Sequence, residues 1–360
     1  KGSIAAALAA VLAIPVAEAD VLRIGVATAG GGDPVTFSGS TLGIVRNQQL
    51  LEKAFAGTGT EVQWFFFKGA GPAVNEAFSN QQLDFAYQGD LPAVVGRSNG
   101  LDTRLLAALG VRANLYLAVP KGSSVKTIED LKGKKVAIFR GTNGHLVMIN
   151  LLAEHGLTER DIKAINLDTG SSQAALISNG VDAAFGGREL FKLRDKGLID
   201  IVYDNPQQDV RYTRQTALVV RGEYEKEHPD KVQKVVDTLV DAAKWTSDES
   251  HRDDVFAEWA KSNDPADSLR ADFTGVPLRD RASPLIDNFL ISRYQAVADQ
   301  AKEEKLIRRP VSIDGWFESS YLQKSLKAKG LENYWTPYGP DGKQPAGNAV
   351  AATTTSKQGS

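Results

Sequence analysis

The residues best suited to chemistry in this chain lie in a polar turn at positions 140–144. The turn follows a short apolar segment at 134–139 and precedes a segment at 145–155 whose apolar residues recur at helical spacing. It offers a hydroxyl, an amide and bare glycine backbone, in the order Arg140-Gly141-Thr142-Asn143-Gly144. The first N–H groups of a helix lack intrahelical partners and lie at the positive end of its dipole. The pattern therefore predicts an anion-binding turn between a strand and a helix N-terminus.

A purely structural interpretation of the same turn stays open. Thr and Asn are common N-cap residues, so Thr142 or Asn143 could serve only to cap the following helix. Arg140 is a candidate anion contact on the strand side of the turn. His145 is interpreted as a packing residue at the helix start rather than as a metal ligand, because no partner ligand follows at a suitable spacing.

Two further segments resemble each other and end in polar turns. Residues 83–90 read LDFAYQGD and residues 181–188 read VDAAFGGR, with Asp second in each and Gly after each predicted strand. Ligands of open α/β sheets bind at the carboxyl ends of strands. Two such units predict two lobes that face one cleft. The turn residues concerned are Gln88, Gly89, Asp90, Gly187 and Arg188.

Two of these turn residues have alternative interpretations. Asp90 precedes Leu91-Pro92, and this position favours an N-cap role for its side chain. Arg188 is interpreted either as an exposed residue of a first helical turn or as a cleft residue that holds an anion through its planar guanidinium.

The rest of the sequence supplies the elements that position these turns. Predicted strands lie at 21–27, 60–67, 83–87, 104–109, 115–120, 134–139, 161–167, 181–185, 199–203 and 217–221. Predicted helices lie at 41–55, 72–80, 91–97, 145–155, 172–179 and 189–196, and again at 229–246, 251–262, 265–273, 283–305 and 315–329. The alternation predicts parallel sheets joined by crossover helices and followed by a helical region. We expect Trp245, Trp259, Trp316 and Trp335 to pack that region.

The composition excludes several classes of function. The chain has 360 residues, 42% hydrophobic and 24% charged, which suits two domains with a core each. A net charge of −2 favours neither nucleic acid nor an anionic membrane surface as a partner. The absence of cysteine excludes disulfides, thiolate nucleophiles, cysteine-ligated zinc and a lipid anchor. The histidines show no metal-motif spacing, so we expect no metal and no cofactor.

Residues 1–19 predict a cleavable export signal. They contain an apolar run that is too short to span a bilayer, followed by the small-x-small pattern Ala17-Glu18-Ala19. Cleavage is expected after Ala19, which would leave a soluble, exported protein. At the other end, residues 346–360 are rich in Ala, Thr, Gly and Ser and are predicted to be disordered.

Several of these segments together resemble a known family. LRIGVA near the start, LDFAYQGDLPAVV, VPKGSSVKTIEDLKGKKVAIFRGTNGH and GVDAAFGGRE are similar to segments of aliphatic-sulfonate-binding proteins. Those proteins are the periplasmic substrate-binding components of ABC importers and belong to a sulfonate, taurine and nitrate group. The resemblance covers about residues 21–305 and is most specific at 124–145, where LKGKKVA precedes GTN-x-H.

The resemblance implies a type II periplasmic-binding-protein fold of the α/β class, with two lobes joined by a two-strand hinge. The first lobe would comprise residues 21–115 with 222–345, and the second would comprise residues 116–221. Strands at 115–120 and 217–221 would form the hinge, and the late helices would pack on the first lobe. Ligand would close the two lobes by a hinge motion.

The family's binding positions carry over onto polar turns of this chain. By resemblance they are Ser40 and Thr41, Gln88, Gly89 and Asp90, and Gly141, Thr142, Asn143 and His145. The chain departs from the family at Gly187-Arg188, where many relatives have Trp-Asp-Pro. This departure removes an aromatic and an acidic side chain and adds a cation.

A sulfonate head group would need several donors, because it is always ionised and has three acceptor oxygens. Helix amides, hydroxyls and Asn143 are neutral donors, and an arginine would add a charge-assisted, bidentate contact. The candidate arginines are Arg188, Arg140, Arg211 and Arg214. Candidate aromatics for the ligand's tail are Phe37, Tyr87, Phe139 and Phe185.

The sequence thus predicts an exported, non-enzymatic solute-binding protein for alkanesulfonates or related organosulfur anions. The expected partners are the small organic sulfonate and the permease subunits of an ABC importer, and we expect a monomer. Taurine, a sulfate ester or nitrate is the alternative ligand. An enzyme on the same fold, such as a pyrimidine-precursor synthase, and a periplasmic sensor are the alternative classes. GxSxG, P-loop and GxGxxG motifs are absent, which disfavours an enzyme.

Overall fold

The computed structural model describes residues 20–204 and 209–344 and is built on two five-stranded sheets. The strands are β1 (Asp20–Val26), β2 (Thr60–Phe66), β3 (Phe85–Gly89), β4 (Thr103–Ala113), β5 (Tyr116–Pro120), β6 (Lys135–Ile138), β7 (Lys163–Asn166), β8 (Ala183–Gly186), β9 (Ile199–Asp204) and β10 (Arg214–Arg221). The first sheet has the order β2-β1-β3-β10-β4, and the second has the order β7-β6-β8-β5-β9. We call each sheet with the helices packed on it a lobe.

Helices cover both sheets and form the later part of the chain. They are α1 (Thr41–Asn47), α2 (Leu50–Phe55), α3 (Ala70–Ser79), α4 (Asp90–Ser98), α5 (Asn143–Glu154), α6 (Thr169–Ile177), α7 (Phe191–Asp195), α8 (Gly222–Glu227), α9 (Pro229–Thr246), α10 (Arg252–Ala260), α11 (Ala266–Asp272), α12 (Leu278–Ala282), α13 (Asn288–Glu303) and α14 (Ser320–Ala328). Within the described ranges, no helix has the length and apolar character needed to cross a bilayer.

Both sheets are mixed, which corrects the prediction of parallel sheets. β1 pairs in parallel with β2 and β3, and β6 pairs in parallel with β7 and β8, as predicted. In contrast, β10 is antiparallel to β3 and β4, and β5 is antiparallel to β8 and β9. β5 and β10 each follow a link from the other sheet rather than a crossover helix. The requirement that makes consecutive βαβ strands parallel therefore does not apply to them.

The helices differ from the predicted ones mainly at their ends. The helix predicted at 41–55 is divided into α1 and α2, because Gln49 adopts a left-handed φ of 54°. The short helices α8 and α12 were not predicted, since five or six residues give too little periodicity to detect. Of the late helices, α9 packs on α1, α12 on β4 and α13 on α4, whereas α11 packs on α7 of the second lobe.

The predicted tryptophan packing is confirmed, and one apolar cluster joins the lobes. Trp259, Trp316 and Trp335 are at most 2% exposed, and Trp245 packs against the cluster around Phe256. A large core cluster takes apolar side chains from α4, α5 and α13 together with strands of both sheets. The lobes are therefore in direct contact through buried side chains.

The assignment of residues to lobes stays a prediction, with one difference in placement. β10 covers the predicted strand at 217–221 but pairs within the first sheet, whereas the expected second lobe ran to residue 221. β5 lies wholly in the second sheet. The links between the sheets are residues 114–115 and the segment between β9 and β10. The predicted signal at 1–19 and the predicted tail at 346–360 lie outside the described residues.

The Asp shared by the two similar sequence segments has the same structural role in both lobes. Asp84 accepts the backbone N–H of Arg23 in β1 at 2.9 Å, and Asp182 accepts that of Lys135 in β6 at 2.7 Å. The N–H of each Asp in turn donates to the carbonyl of the same partner residue. The sequence similarity thus reflects the same structural role in both lobes. The Asp holds β3 beside β1 in the first sheet and β8 beside β6 in the second.

The two aspartates should differ in their contribution to stability. Asp84 is fully buried and forms ion pairs with Arg23 and Arg221 at 2.7 and 3.3 Å, whereas Asp182 is only partly buried. We expect Asp84→Ala to lower the free energy of unfolding by about 3 kcal/mol, because it leaves Arg23 without its carboxylate and removes one of the two carboxylates that pair with Arg221. Asp182→Ala, the matched control, should cost about 1 kcal/mol. Urea unfolding measures both values, and equal losses would contradict this account.

Candidate functional site

The predicted helix N-terminus at the polar turn is present and has no side-chain cap within the described chain. Gly141 has a φ of 75°, and Thr142 is the extended N-cap residue of the twelve-residue helix α5. The Thr142 hydroxyl donates to the Phe139 carbonyl at 2.7 Å instead of accepting from an α5 amide. The side-chain capping interpretation is therefore wrong for Thr142. The His145 amide donates to the Thr142 carbonyl at 3.1 Å, so within the described residues the amides of Asn143 and Gly144 are the ones at this helix end that suit an anion.

This helix end lies against the turn that follows β3 in the other lobe. A Cβ added to Gly89 would lie 2.9 Å from the Cβ of Asn143, and one added to Gly141 would lie 3.2 Å from Pro72. The Asn143 amide also reaches the Gln215 carbonyl at 3.5 Å. The structure thus brings together two of the predicted polar turns, one from each lobe.

A second contact between the lobes is polar and involves Arg188. Its Nη2 donates to the Ser38 hydroxyl at 2.7 Å, and that hydroxyl donates to the Asp264 carboxylate at 2.5 Å. The Nε of Arg188 lies 3.9 Å from the same carboxylate. The guanidinium packs on Gly39, where an added Cβ would lie 2.4 Å from its central carbon. Arg188 is therefore mostly buried at the contact between the lobes and is not an exposed first-turn residue.

The two contacts lie at the same end of the first sheet, where β3 ends. Thr216 of β10 pairs with Gly89 on one side and with Gly110 of β4 on the other. A Cβ added to Gly110 would lie 3.7 Å from the Cβ of Ser40 and 3.5 Å from the Gly39 carbonyl oxygen. The region from Asn143 to Ser40 is therefore continuous, with Arg188 at its far end.

The predicted pair Ser40 and Thr41 begins α1 beside Arg188. The Ser40 hydroxyl accepts the Gly43 amide at 3.2 Å and caps this short helix. The Thr41 hydroxyl is buried and has no hydrogen-bond partner among the described residues. Ser40 thus has a structural function, and Thr41 has an unused donor.

Three predicted residues direct their side chains to other partners. Arg140 forms an ion pair with Glu159, and the Nε2 of the buried His145 lies 2.9 Å from the same carboxylate. The Nδ1 of His145 accepts the Gly141 amide at 3.3 Å, so this ring supports the turn. Gln88 is buried and donates to the Asn75 side chain at 2.7 Å. Among the described residues, these three side chains have no recorded interaction at the contact between the lobes.

Asp90 is the first residue of α4 and is almost fully buried. Gly89 is the N-cap, which corrects the prediction for Asp90, although one Asp90 oxygen accepts the Leu91 amide at 2.7 Å. Burial raises the pKa of Asp90 to about 6, and the Leu91 amide and the positive charges of Arg293 and Arg214 offset only part of this effect. Asp90 is therefore a carboxyl group that titrates near neutral pH.

Arg214 at the start of β10 in the first sheet contacts Gly187 of the second lobe. Arg214 donates to the Asn114 carbonyl, with its Nη2 at 2.6 Å. A Cβ added to Gly187 would lie 2.6 Å from that Nη2 atom. The Gly187 amide itself donates to Glu189 at 2.7 Å. These contacts hold the turn that presents Arg188.

Sequence reasoning missed Ser38, Thr216 and Asp264. Ser38 lies in a Ser- and Thr-rich loop, and that composition was the only available signal for it. Asp264 lies more than 200 positions from Ser38, so no local pattern could have paired them. Groups of three or more carboxylate or histidine side chains able to hold a metal ion are not found in residues 20–204 and 209–344.

The raised pKa of Asp90 predicts a pH-dependent effect of Asp90→Asn on stability. The folded protein binds this proton more tightly than the unfolded chain, so the carboxyl increasingly destabilises the fold as pH rises from about 4, and the penalty is complete above about pH 6. Asp90→Asn should therefore be more stable than the wild type at pH 8, by roughly 3 kcal/mol at most. The advantage should shrink as pH falls through 6 and vanish near pH 4. Urea unfolding from pH 4 to 8 tests this, and a pH-independent difference would contradict it.

Comparison with known proteins agrees with the fold and the sequence motifs. The aliphatic sulfonates-binding protein of Escherichia coli (strain K12) is 26% identical over 307 residues, which cover 84% of this chain and 87% of that protein. The solved periplasmic sulfonate-binding protein SsuA of Methylobacillus flagellatus KT is 29% identical with a TM-score of 0.74. That match covers 89% of this chain and 98% of SsuA. The predicted class of two α/β lobes and the resemblance to sulfonate-binding proteins are confirmed.

The same fold also occurs in an enzyme. The solved desulfurization enzyme DSZB is 17% identical with a TM-score of 0.64, over 86% of this chain and 99% of that chain, a likeness of fold alone. The family model described as NMT1/THI5-like matches residues 55–251, which is more than half of the sequence. This chain belongs to the NMT1/THI5-like family.

Proposed function

We propose that this protein is a periplasmic solute-binding protein that captures an alkanesulfonate or a related organosulfur anion between its lobes. The observation that carries the proposal is the meeting of donors from both lobes at one end of the first sheet. The N-terminus of α5 and Asn143 meet Gly89 there, and Arg188 reaches Ser38 nearby. A sulfonate oxygen cluster would receive neutral amide donors together with one guanidinium, so its charge would be compensated on desolvation.

The aromatic side chains proposed for the ligand's tail are close to these donors in the sequence. The ring centroids of Phe37 and Tyr87 are 5.3 Å apart, and Phe37 directly precedes Ser38 in the chain. Phe139 and Phe185 are half-buried in the second lobe. We propose that the first pair contacts the alkyl chain. Taurine, a sulfate ester and nitrate remain alternative ligands because they share the anionic head.

The proposed cellular role follows the names of the relatives. The similar SsuA protein is described as the periplasmic sulfonate-binding protein of an ABC transporter. We propose that this chain is exported by residues 1–19, acts as a monomer and delivers its ligand to the permease subunits of an ABC importer.

We also propose that the protein releases its ligand unchanged. The DSZB likeness concerns the fold, and this chain has no cysteine to provide a thiolate nucleophile. Incubation with hexanesulfonate followed by mass spectrometry should return the intact anion. Any stoichiometric product would favour an enzyme on this fold.

A thermal-shift panel tests the ligand class. The panel contains methanesulfonate, hexanesulfonate, taurine, hexyl sulfate, nitrate and cytosine, with hexylammonium as the control that has a tail but no anion. Ligand at one hundred times its Kd should stabilise the fold by about 2.7 kcal/mol, which raises the melting temperature. We expect hexanesulfonate to give the largest shift and hexylammonium none. A shift with nitrate or cytosine and none with sulfonates would overturn the proposed ligand.

Asn143→Ala tests the proposed contribution of α5. The variant should weaken hexanesulfonate binding at least tenfold in calorimetry, because one donor beside the helix end is lost. Its free energy of unfolding should change by less than about 1 kcal/mol, because the Asn143 amide has only a 3.5 Å contact with Gln215. Asn80→Ala, an exposed asparagine after α3, is the control and should bind like the wild type. Unchanged affinity of Asn143→Ala would exclude the Asn143 side chain from the binding site.

A further inference from the structure

Arg188 is electrostatically paired in this structure but poorly hydrogen-bonded. Its Nη2 donates to Ser38, whereas its buried Nε has no hydrogen-bond partner among the described residues. The Asp264 carboxylate lies 3.9 Å from that Nε, beyond hydrogen-bond distance. A guanidinium has five N–H donors in a planar fork. Its charge is therefore compensated while most of its directional bonding capacity is unused.

Asp264 is the carboxylate available to Arg188, because the other nearby acids are engaged. Glu189 accepts the Gly187 amide at 2.7 Å. Asp272 accepts from the Tyr116 hydroxyl and pairs with Arg281, both at 2.6 Å. For Asp264, the contacts recorded in the described part of the chain are those with Ser38 and Arg188. Asp264 lies between α10 and α11, so it is held by a loop and not by a regular element.

We propose that Asp264 is an internal counter-ion that masks Arg188 when the cleft is empty, and that the anionic ligand displaces it from the guanidinium. This inference rests on the proposed function, because it assigns the ligand's head group to Arg188. A tetrahedral sulfonate offers three oxygens and can satisfy the Nε and Nη donors together. Asp264 now reaches Nη2 only through the Ser38 hydroxyl. Displacement therefore exchanges an indirect ion pair for direct charge-assisted hydrogen bonds.

Ser38 is suited to this exchange because a hydroxyl can reorient its single proton. It now accepts from Arg188 and donates to Asp264. With a ligand present, the Ser38 hydroxyl can donate its proton to a sulfonate oxygen while its oxygen still accepts the hydrogen bond from Arg188. The retained charge of Asp264 then opposes the anion, so Asp264 lowers affinity and sets the ligand concentration at which the cleft fills.

Asp264→Asn tests the proposal because it removes the charge and keeps the shape. Isothermal titration of the full chain with hexanesulfonate should show at least tenfold tighter binding by the variant than by the wild type. Asp267→Asn removes the same charge from an exposed position three residues away and should leave affinity unchanged. Adding Arg188→Gln to Asp264→Asn should abolish the gain, and this double-mutant comparison assigns the gain to the pair. Thermal melts check that each variant is folded, and Asp264→Ser replaces Asp264→Asn if the latter is not.

The outcomes separate this inference from the proposed function. If the wild type binds hexanesulfonate and Asp264→Asn binds no tighter, the counter-ion proposal is overturned and the proposed function stands. If only Asp264→Asn binds, the masking is supported, and the wild type has a different ligand. If neither protein binds any sulfonate, both proposals are overturned. A gain that persists without Arg188 would mean that Asp264 acts as a general repulsive charge, which also overturns the pairing.

Discussion

The guanidinium of Arg214 ties together the two links that carry the chain between the sheets. Arg214 begins β10, where the chain returns to the first sheet, and its Nε and Nη2 donate at 3.1 and 2.6 Å to the carbonyl of Asn114, between β4 and β5. The same side chain packs on Gly187 and approaches Gly144 of α5. The turns that present Arg188 and Asn143 to the first lobe are therefore positioned from one point.

A buried polar chain extends this tie into the later helices. The Asn114 amide donates to the Tyr116 hydroxyl, which donates to Asp272, and Asp272 pairs with Arg281 on α12. Burial and the Asp272 carboxylate raise the pKa of Tyr116, so the phenol stays a donor at neutral pH. Because removal of any member leaves a buried partner unsatisfied, the chain fixes the geometry at the lobe junction. The lobes meet through a defined set of bonds rather than through apolar contact alone.

The sequence predicted what local pattern and motif can reveal. Apolar segments predicted the position of each strand. The Asp repeated in the two similar segments indicated a shared role for Asp84 and Asp182, and both accept a backbone amide of the neighbouring strand. The predicted direction of β5 and β10 was wrong, because no local sequence pattern shows that a strand enters its sheet from the other lobe. In the candidate site, the turn at 141–143 was predicted from residue types that suit a helix N-terminus. Ser38 and Asp264 were missed because their contact depends on packing between distant segments.

Charge compensation in an empty cleft constrains any protein that holds an anion with a guanidinium. Arginine cannot lose its proton near neutral pH, so a cleft that closes without ligand would bury an uncompensated charge. Here burial alone would lower the pKa of Arg188, but the negative charges of Asp264 and Asp272 outweigh that effect and raise it. The recorded hydrogen bond of Asp90 comes from the Leu91 amide and not from a cation. Burial therefore raises the pKa of Asp90 and favours its neutral form. The same low-dielectric junction thus stabilises the ionised pair of Arg188 and Asp264 and opposes a lone carboxylate, so a second anion is stabilised there only if it replaces Asp264 as the partner of Arg188.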